Sequence, residues 1–299
     1  MVRRDELSVR GNLVESRSSQ GQAVTRGREI VARDRIDDAG IADKLRLDCE
    51  TAMERARRVT ASLTNARVRT IVTATQSEIE SAITITVGGV SVVTSPDDAL
   101  SDYEMLRKLV ATPSAPPPAR PMPIVWRNGS AAVLLHEAIG HAAEHAHAPL
   151  AWPRWLRGVD IATGGAIADL IAGESPAAFR RESFRDIPLR RMTHVRFEQH
   201  GAPFRLPGER IEVFLVSGGT YEPLSEMVSI DVAVADHVDG KKTRRVAPFT
   251  LRASRAKVAR ALAGASGDPI RYPGVICSRE GQELYVASHA PVMLTTELR

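Results

Sequence analysis

An α+β architecture is what this sequence predicts, and three observations predict it. A long amphipathic helical stretch near residue 50 is followed by runs that alternate polar and apolar at period two. Six prolines then crowd the segment from Thr112 to Pro123. From Leu189 onward nearly every run reads as a strand closed by a glycine turn. The expected organisation is a small N-terminal α/β domain over 1–111, a semi-rigid Pro-rich linker over 112–123, and a C-terminal domain over 124–299. That last domain should be mostly antiparallel strands carrying one distorted helix with two histidines and a glutamate.

The elements follow in order. Residues 1–36 are polar and arginine-rich, and Ile30–Ala32 is expected as an edge strand. Ile41, Leu45, Cys49, Ala52, Ala56, Val59 and Leu63 step by threes and fours, the stripe of one helix face. Cys49 lies on that stripe and reads as a small buried hydrophobe. Val68 to Thr73, Ala82 to Val87 and Val90 to Thr94 are strands, with Gly88-Gly89 as a hairpin turn. A helix over Ser101–Val110 takes Ser101 as its cap and Glu104 as the capping-box partner. Ile124–Trp126 is a short strand, and Asn128 or Ser130 caps the helix after it. Ala148 to Asp186 reads as packed loops, with helical turns at Ile167–Ala172 and from Ser175. Strands are expected at Met192–Phe197, Arg210–Val216, Val228–Ala235, Thr243–Leu251, Leu284–Val286 and Val292–Leu298, with turns at Gly218-Gly219 and Asp239-Gly240. A helix from Arg255 to Gly264 lies among them.

The 299 residues suffice for a sizeable core. A 43% apolar and 25% charged composition is that of an ordinary globular protein. Net charge is +4, carried mostly by arginine, since Lys44, Lys108, Lys241, Lys242 and Lys257 are the only lysines. Aromatic residues make up 4%, too few for a base-stacking platform, so nucleic acid is not an expected partner. No run of 18 apolar residues and no signal peptide is present, so the expectation is a cytoplasmic protein with no membrane partner. In that reducing compartment Cys49 and Cys277 are not expected to pair.

The chemistry concentrates in Ser130-Ala-Ala-Val-Leu-Leu-His136-Glu137-Ala-Ile-Gly140-His141-Ala-Ala-Glu144-His145. Zinc hydrolases place ligands on a helix in this manner, with a Glu beside the first ligand to activate water. His136 and His141 are five residues apart. At about 100° per residue a regular helix would turn the second ring roughly 140° away from the first. A shared metal therefore requires a π-bulge or a break between Glu137 and His141, and Gly140 tolerates either. An overlapping pattern, His141-Ala-Ala-Glu144-His145, matches the inverted HxxEH motif, in which Glu144 is the base and His136 a bystander. A catalytic zinc takes three protein ligands and leaves a position open, and Cys277 is the leading candidate for the third. Tyr221, Tyr285, His289 and Arg191 are candidate donors to an oxyanion.

Several segments together carry a resemblance. Leu134 to Glu144 resembles the HExxxH signature of the TldD/PmbA family of zinc metalloproteases, long labelled modulators of DNA gyrase. Arg191-Met192-Thr193, the paired stretches Val216–Gly219 and Asp236–Lys241, and Gly274-Val-Ile-Cys277-Ser-Arg-Glu280-Gly281-Gln282 are similar to further motifs of that family in order and spacing. The resemblance covers roughly 124–298. It implies Zn2+ held by His136, His141 and Cys277, with Glu137 as general base. It also implies hydrolysis of small or unfolded peptides inside a homodimer or a heterodimer with a related chain. In some family pairs one chain is a silent scaffold, the alternative reading for this one. The chain is shorter than typical members, and Ala148–Gly158 stands where the family has an acidic Asp-Asp-Pro segment.

Overall fold

The computed structural model describes residues 15–19, 22–32, 39–74, 79–111, 114–144, 152–160, 179–180, 187–191, 194–201 and 203–298. The chain divides into two units, one drawn from Met1–Ala111, Arg181–Leu189 and Gly274–Tyr285, the other from Thr112–Arg180, Arg190–Pro273 and Val286–Arg299.

In the first unit β1 (Glu15–Ser19), β2 (Gln22–Ala32), α1 (Ala39–Thr60), β3 (Arg67–Ala74), β4 (Ile79–Val87), β5 (Val90–Thr94) and α2 (Ala99–Val110) follow one another. The five strands form one sheet in sequence order, with only β2 and β3 parallel, joined through α1. The segment Ile30–Ala32 pairs with Val72–Ala74 of β3, whereas β1 reaches only Gln22–Arg26 of β2, so among the described residues this end of the strand has a neighbour on one side, as expected of an edge. Period two is visible in β3, where Val68, Thr70 and Val72 are buried and Arg67 and Arg69 exposed. Helices α1 and α2 pack on β3, β4 and β5, bringing Cys49, Ala56 and Leu63 of the predicted stripe into the core. Burial, with Asp48 and Glu50 close by, pushes the Cys49 thiol up to about 11, as suits a packing residue. Gly88 and Gly89, both at positive φ, make the β4–β5 turn. Helix α2 begins two residues before the expected start. Asp98 holds the cap position without a side-chain cap bond, and Ser101 Oγ instead donates to Asp98 O at 2.9 Å.

The second unit contains β6 (Met122–Trp126), α3 (Ala131–Leu135), a π-helix (His136–His141), α4 (Ala142–Glu144), β7 (Leu156–Asp160), the two-residue strand β8 (Phe179–Arg180), the second residue of β9 (Leu189–Arg190), β10 (His194–Gln199), β11 (Glu209–Glu222), β12 (Met227–Asp239), β13 (Lys242–Val246), β14 (Phe249–Ser254), α5 (Arg255–Ala261) and β15 (Leu262–Arg271). Two strands close the chain: β16 (Val275–Arg279) turns through Glu280 and Gly281 into β17 (Gln282–Leu298), which begins in the first unit and continues in the second. The second unit's sheet runs β13-β12-β11-β6-β17-β10-β7, with β14 also on β12 and β15 on β17. It is mixed, since β6–β11 and β10–β17 are parallel and the other pairs antiparallel.

Three expectations change here. Gly218-Gly219 does not turn the chain but sits inside β11, and the reversal comes at Glu226, which has positive φ. The helix from Arg255 stops at Ala261, and Leu262–Arg271 is a strand on β17. The two short terminal strands are one, because β17 pairs in turn with β10, β15 and β6 and is held extended throughout. The helical turns expected at Ile167–Ala172 and from Ser175 lie outside the described residues.

Candidate metal centre

The His-Glu helix grows out of β6 through a tight turn. Asn128 (φ 53°) and Gly129 (φ 72°) reverse the backbone, and a Cβ on Gly129 would stand 2.5 Å from the Ile270 carbonyl, so only glycine fits. Of the two predicted caps Ser130 holds the cap position, without a side-chain cap bond; its Oγ donates instead to Val213 O at 3.0 Å, tying the helix start to β11. Ala131 to Leu135 are all buried, the mark of a helix inside a core rather than on its surface. This helix packs against β10, β11 and β12.

At His136 the helix changes period. His136–His141 is a π-helix, whose i→i+5 pattern stacks residues five apart. The two imidazole rings stand edge to face with centroids 4.7 Å apart. His136 is 2% exposed, and among the described residues neither its Nδ1 nor its Nε2 has a hydrogen-bond partner. Glu137 is buried, with Oε2 3.5 Å from His141 Nε2. Glu144 Oε2 lies 2.7 Å from His141 Nδ1, and its other oxygen 3.9 Å from Arg191 Nε, both side chains fully buried. Glu144 of the inverted motif is thus engaged with His141, while His145 lies outside the described residues.

Arg255, Tyr272 and Gly219, none of them singled out from the sequence as a site residue, shape the turn. Arg255, at the start of α5, donates from Nε to Ala138 O at 3.1 Å, supplying a donor to a carbonyl inside the π-helix, and pairs with Glu226 at 3.3 Å. On β11, bulges between Val213 and Gly218 shift the register against β12. Tyr272 braces them: its hydroxyl donates to Val216 O and accepts from Val216 N, both at 2.7 Å. The shifted strand lays Gly219 against the Glu137 side chain, so that a Cβ there would meet Glu137 Cγ at 2.6 Å and Oε1 at 3.0 Å. A glycine pair inside a period-two run was the available signal, since it marks a bulge or a close backbone approach as readily as a turn.

Cys277 is a buried residue of β16 in the first unit and forms no disulfide. His136 and His141 offer two imidazoles in the second unit, and Cys277 a thiol in the first. Of the candidate oxyanion donors, Tyr221 follows Gly219 on β11. Burial pushes its phenol up, with Glu226 adding to the rise and Arg255 opposing it, so it stays a protonated donor. Burial, then Arg196, Arg271 and His194, hold the His289 imidazole below its usual value and hence neutral at pH 7. Arg191 faces Glu144. Tyr285 lies on the part of β17 in the first unit.

No family model and no curated protein matches the chain. Among solved structures it is similar to TldE from Thermococcus kodakarensis, at 12% identity and a TM-score of 0.46, over 74% of this chain and 61% of that one. It is also similar to a putative modulator of DNA gyrase from Thermotoga maritima MSB8, at 11% identity and a TM-score of 0.44, over 74% and 59%. A putative modulator of DNA gyrase from Bacteroides thetaiotaomicron VPI-5482 gives 11% and 0.41, over 74% and 58%. The chain spans about three fifths of their length. Among the described residues, no helix is long and apolar enough to cross a membrane.

Proposed function

We propose that this protein is a cytoplasmic zinc-dependent peptidase of the TldD/PmbA type, acting on small or unfolded peptides as a homodimer or with a related chain. His136, His141 and Cys277 would hold Zn2+, and Glu137 would be the general base. The observation that carries the proposal is His136. A buried imidazole with both nitrogens unpartnered is costly. It stands edge-on to a second imidazole, in an i→i+5 turn that brings the two rings together. Two imidazoles and a thiol are a donor set that suits zinc.

Bound zinc would supply Lewis acidity, polarising the scissile carbonyl and acidifying a water. The rest is the work of the chain's own side chains. Glu137 takes the proton of the attacking water and delivers it to the leaving amine. Burial beside Gly219 confines its carboxylate to one position and limits bulk water around it. Tyr221, a protonated phenol further along β11, would donate to the developing oxyanion.

The test is zinc content per chain after metal-replete purification, for the native protein beside Cys277→Ser, together with hydrolysis of an unfolded peptide by the native protein and Glu137→Gln. Close to one zinc per native chain, lost in Cys277→Ser, and turnover lost in Glu137→Gln with zinc retained, is the expected result. Full zinc without any hydrolysis would favour a silent scaffold subunit. Zinc kept in Cys277→Ser would move the site to the inverted arrangement of His141, Glu144 and His145.

A further inference from the structure

The geometry points to Glu144 as a positioning residue: with Arg191 behind it, Glu144 fixes the His141 ring as the Nδ1–H tautomer and leaves Nε2 as the atom that carries the lone pair. Three residues apart on consecutive turns, Glu144 and His141 share a helix face. The 2.7 Å contact from Glu144 Oε2 to His141 Nδ1 is a short, charge-assisted hydrogen bond. A carboxylate accepts here, so Nδ1 is the donor, and in the neutral imidazole Nε2 then carries the lone pair. A buried carboxylate persists when it is paired, and Arg191, itself fully buried, faces its other oxygen at 3.9 Å. With Oε2 hydrogen-bonded to His141 and Arg191 close to the other oxygen, Glu144 is poorly placed to serve as the base of an HxxEH site.

The two histidines therefore differ in preparation. His141 has a carboxylate that presets its ring, whereas neither nitrogen of His136 has a partner to set its tautomer. With Nε2 as an acceptor, His141 presents a lone pair 3.5 Å from the Glu137 carboxylate, an arrangement that a cation or a water proton relieves. Carboxylate partners of this kind orient ligating imidazoles and raise their basicity. The consequence for metal affinity rests on the zinc reading above; the tautomer does not.

The experiment separates the two. Two-bond 1H–15N correlation spectra of the metal-stripped, full-length protein at pH 8 report the tautomer, with His141→Asn supplying the assignment. Native protein and Glu144→Gln, whose amide oxygen still accepts, should show His141 as Nδ1–H, and Glu144→Ala should populate Nε2–H. An Nε2–H ring in the native protein, or an unchanged ring in Glu144→Ala, overturns the proposal. Should Glu144→Ala not fold, the native and Glu144→Gln spectra decide alone. Zinc competition against a chelator should then show affinity weakened about 10–100-fold in Glu144→Ala and less in Glu144→Gln. Equal affinities would overturn the link from Glu144 to the metal. A native protein with the Nδ1–H ring and no zinc affinity would sink the zinc reading and leave the positioning role standing.

Discussion

Glu212 and His136 are both buried polar side chains of the second unit, and they are treated in opposite ways. Glu212 receives Arg127 at 2.9 and 3.2 Å and Arg210 at 2.7 Å. Burial acts to raise its carboxyl, but the hydrogen bonds from Arg127 and Arg210 outweigh it and hold the group below the ordinary 4.5. Among the described residues His136 has no partner at either nitrogen. Since the great majority of buried polar atoms are satisfied, a partnered group reads as architecture, and a pair of orphaned ring nitrogens is the exception that the zinc proposal accounts for.

Four changes sharpen or break that contrast, taken from the largest expected effect. Glu137→Gln should lower turnover by roughly 10²–10⁴-fold with zinc content unchanged, as read from peptide hydrolysis and metal analysis on one preparation. Equal turnover would remove Glu137 from the reaction. Glu212→Ala should cost about 1–3 kcal/mol in denaturant unfolding, because two partly buried guanidinium groups lose their counter-charge, and should leave zinc affinity alone. The same residue gives a pH dependence. Its folded pKa is depressed, so the stability it contributes is present above about pH 4.5 and is lost as pH falls through the folded value. Unfolding midpoints measured from pH 7 down to 3 should show that loss in the native protein and a shallower one in Glu212→Gln. Gly219→Ala should cost about 1–3 kcal/mol by overpacking. By moving the Glu137 carboxylate it should also lower kcat up to about 100-fold. An unchanged kcat would show that Glu137 relaxes without consequence. Cys49→Ala is the mildest, with about 1 kcal/mol lost and zinc content unchanged. In the native fold Cys49 should stay unlabelled by iodoacetamide at pH 8, since its thiol lies near 11.

Legibility divides along the same line. The α1 stripe, the Gly88-Gly89 turn and the Asp239-Gly240 turn were readable because each rests on a few adjacent residues with strong local preferences. The five-residue step from His136 to His141 called for a bulge or break on geometric grounds alone, and the π-helix is there. Gly218-Gly219 was misread because a glycine pair serves turns and close approaches alike. The choice depended on Tyr272, more than 50 residues away in the chain, bracing a bulge in β11. The strand Leu262–Arg271 was hidden by Gly264, Gly267 and Pro269, weak strand formers that pairing with β17 overrides.

Sequence by itself determined the alternation of elements, the all-apolar helix and the types of donor available at His136, Glu137, His141 and Cys277. Those depend on periodicity and side-chain chemistry, which act over a turn or two. Tertiary structure alone decided that Gly219 lies on Glu137, that Arg255 holds the Ala138 carbonyl, and that Glu144 and Arg191 stand behind His141. Contacts between residues tens of positions apart follow from the register of the sheet, and no local pattern encodes that register.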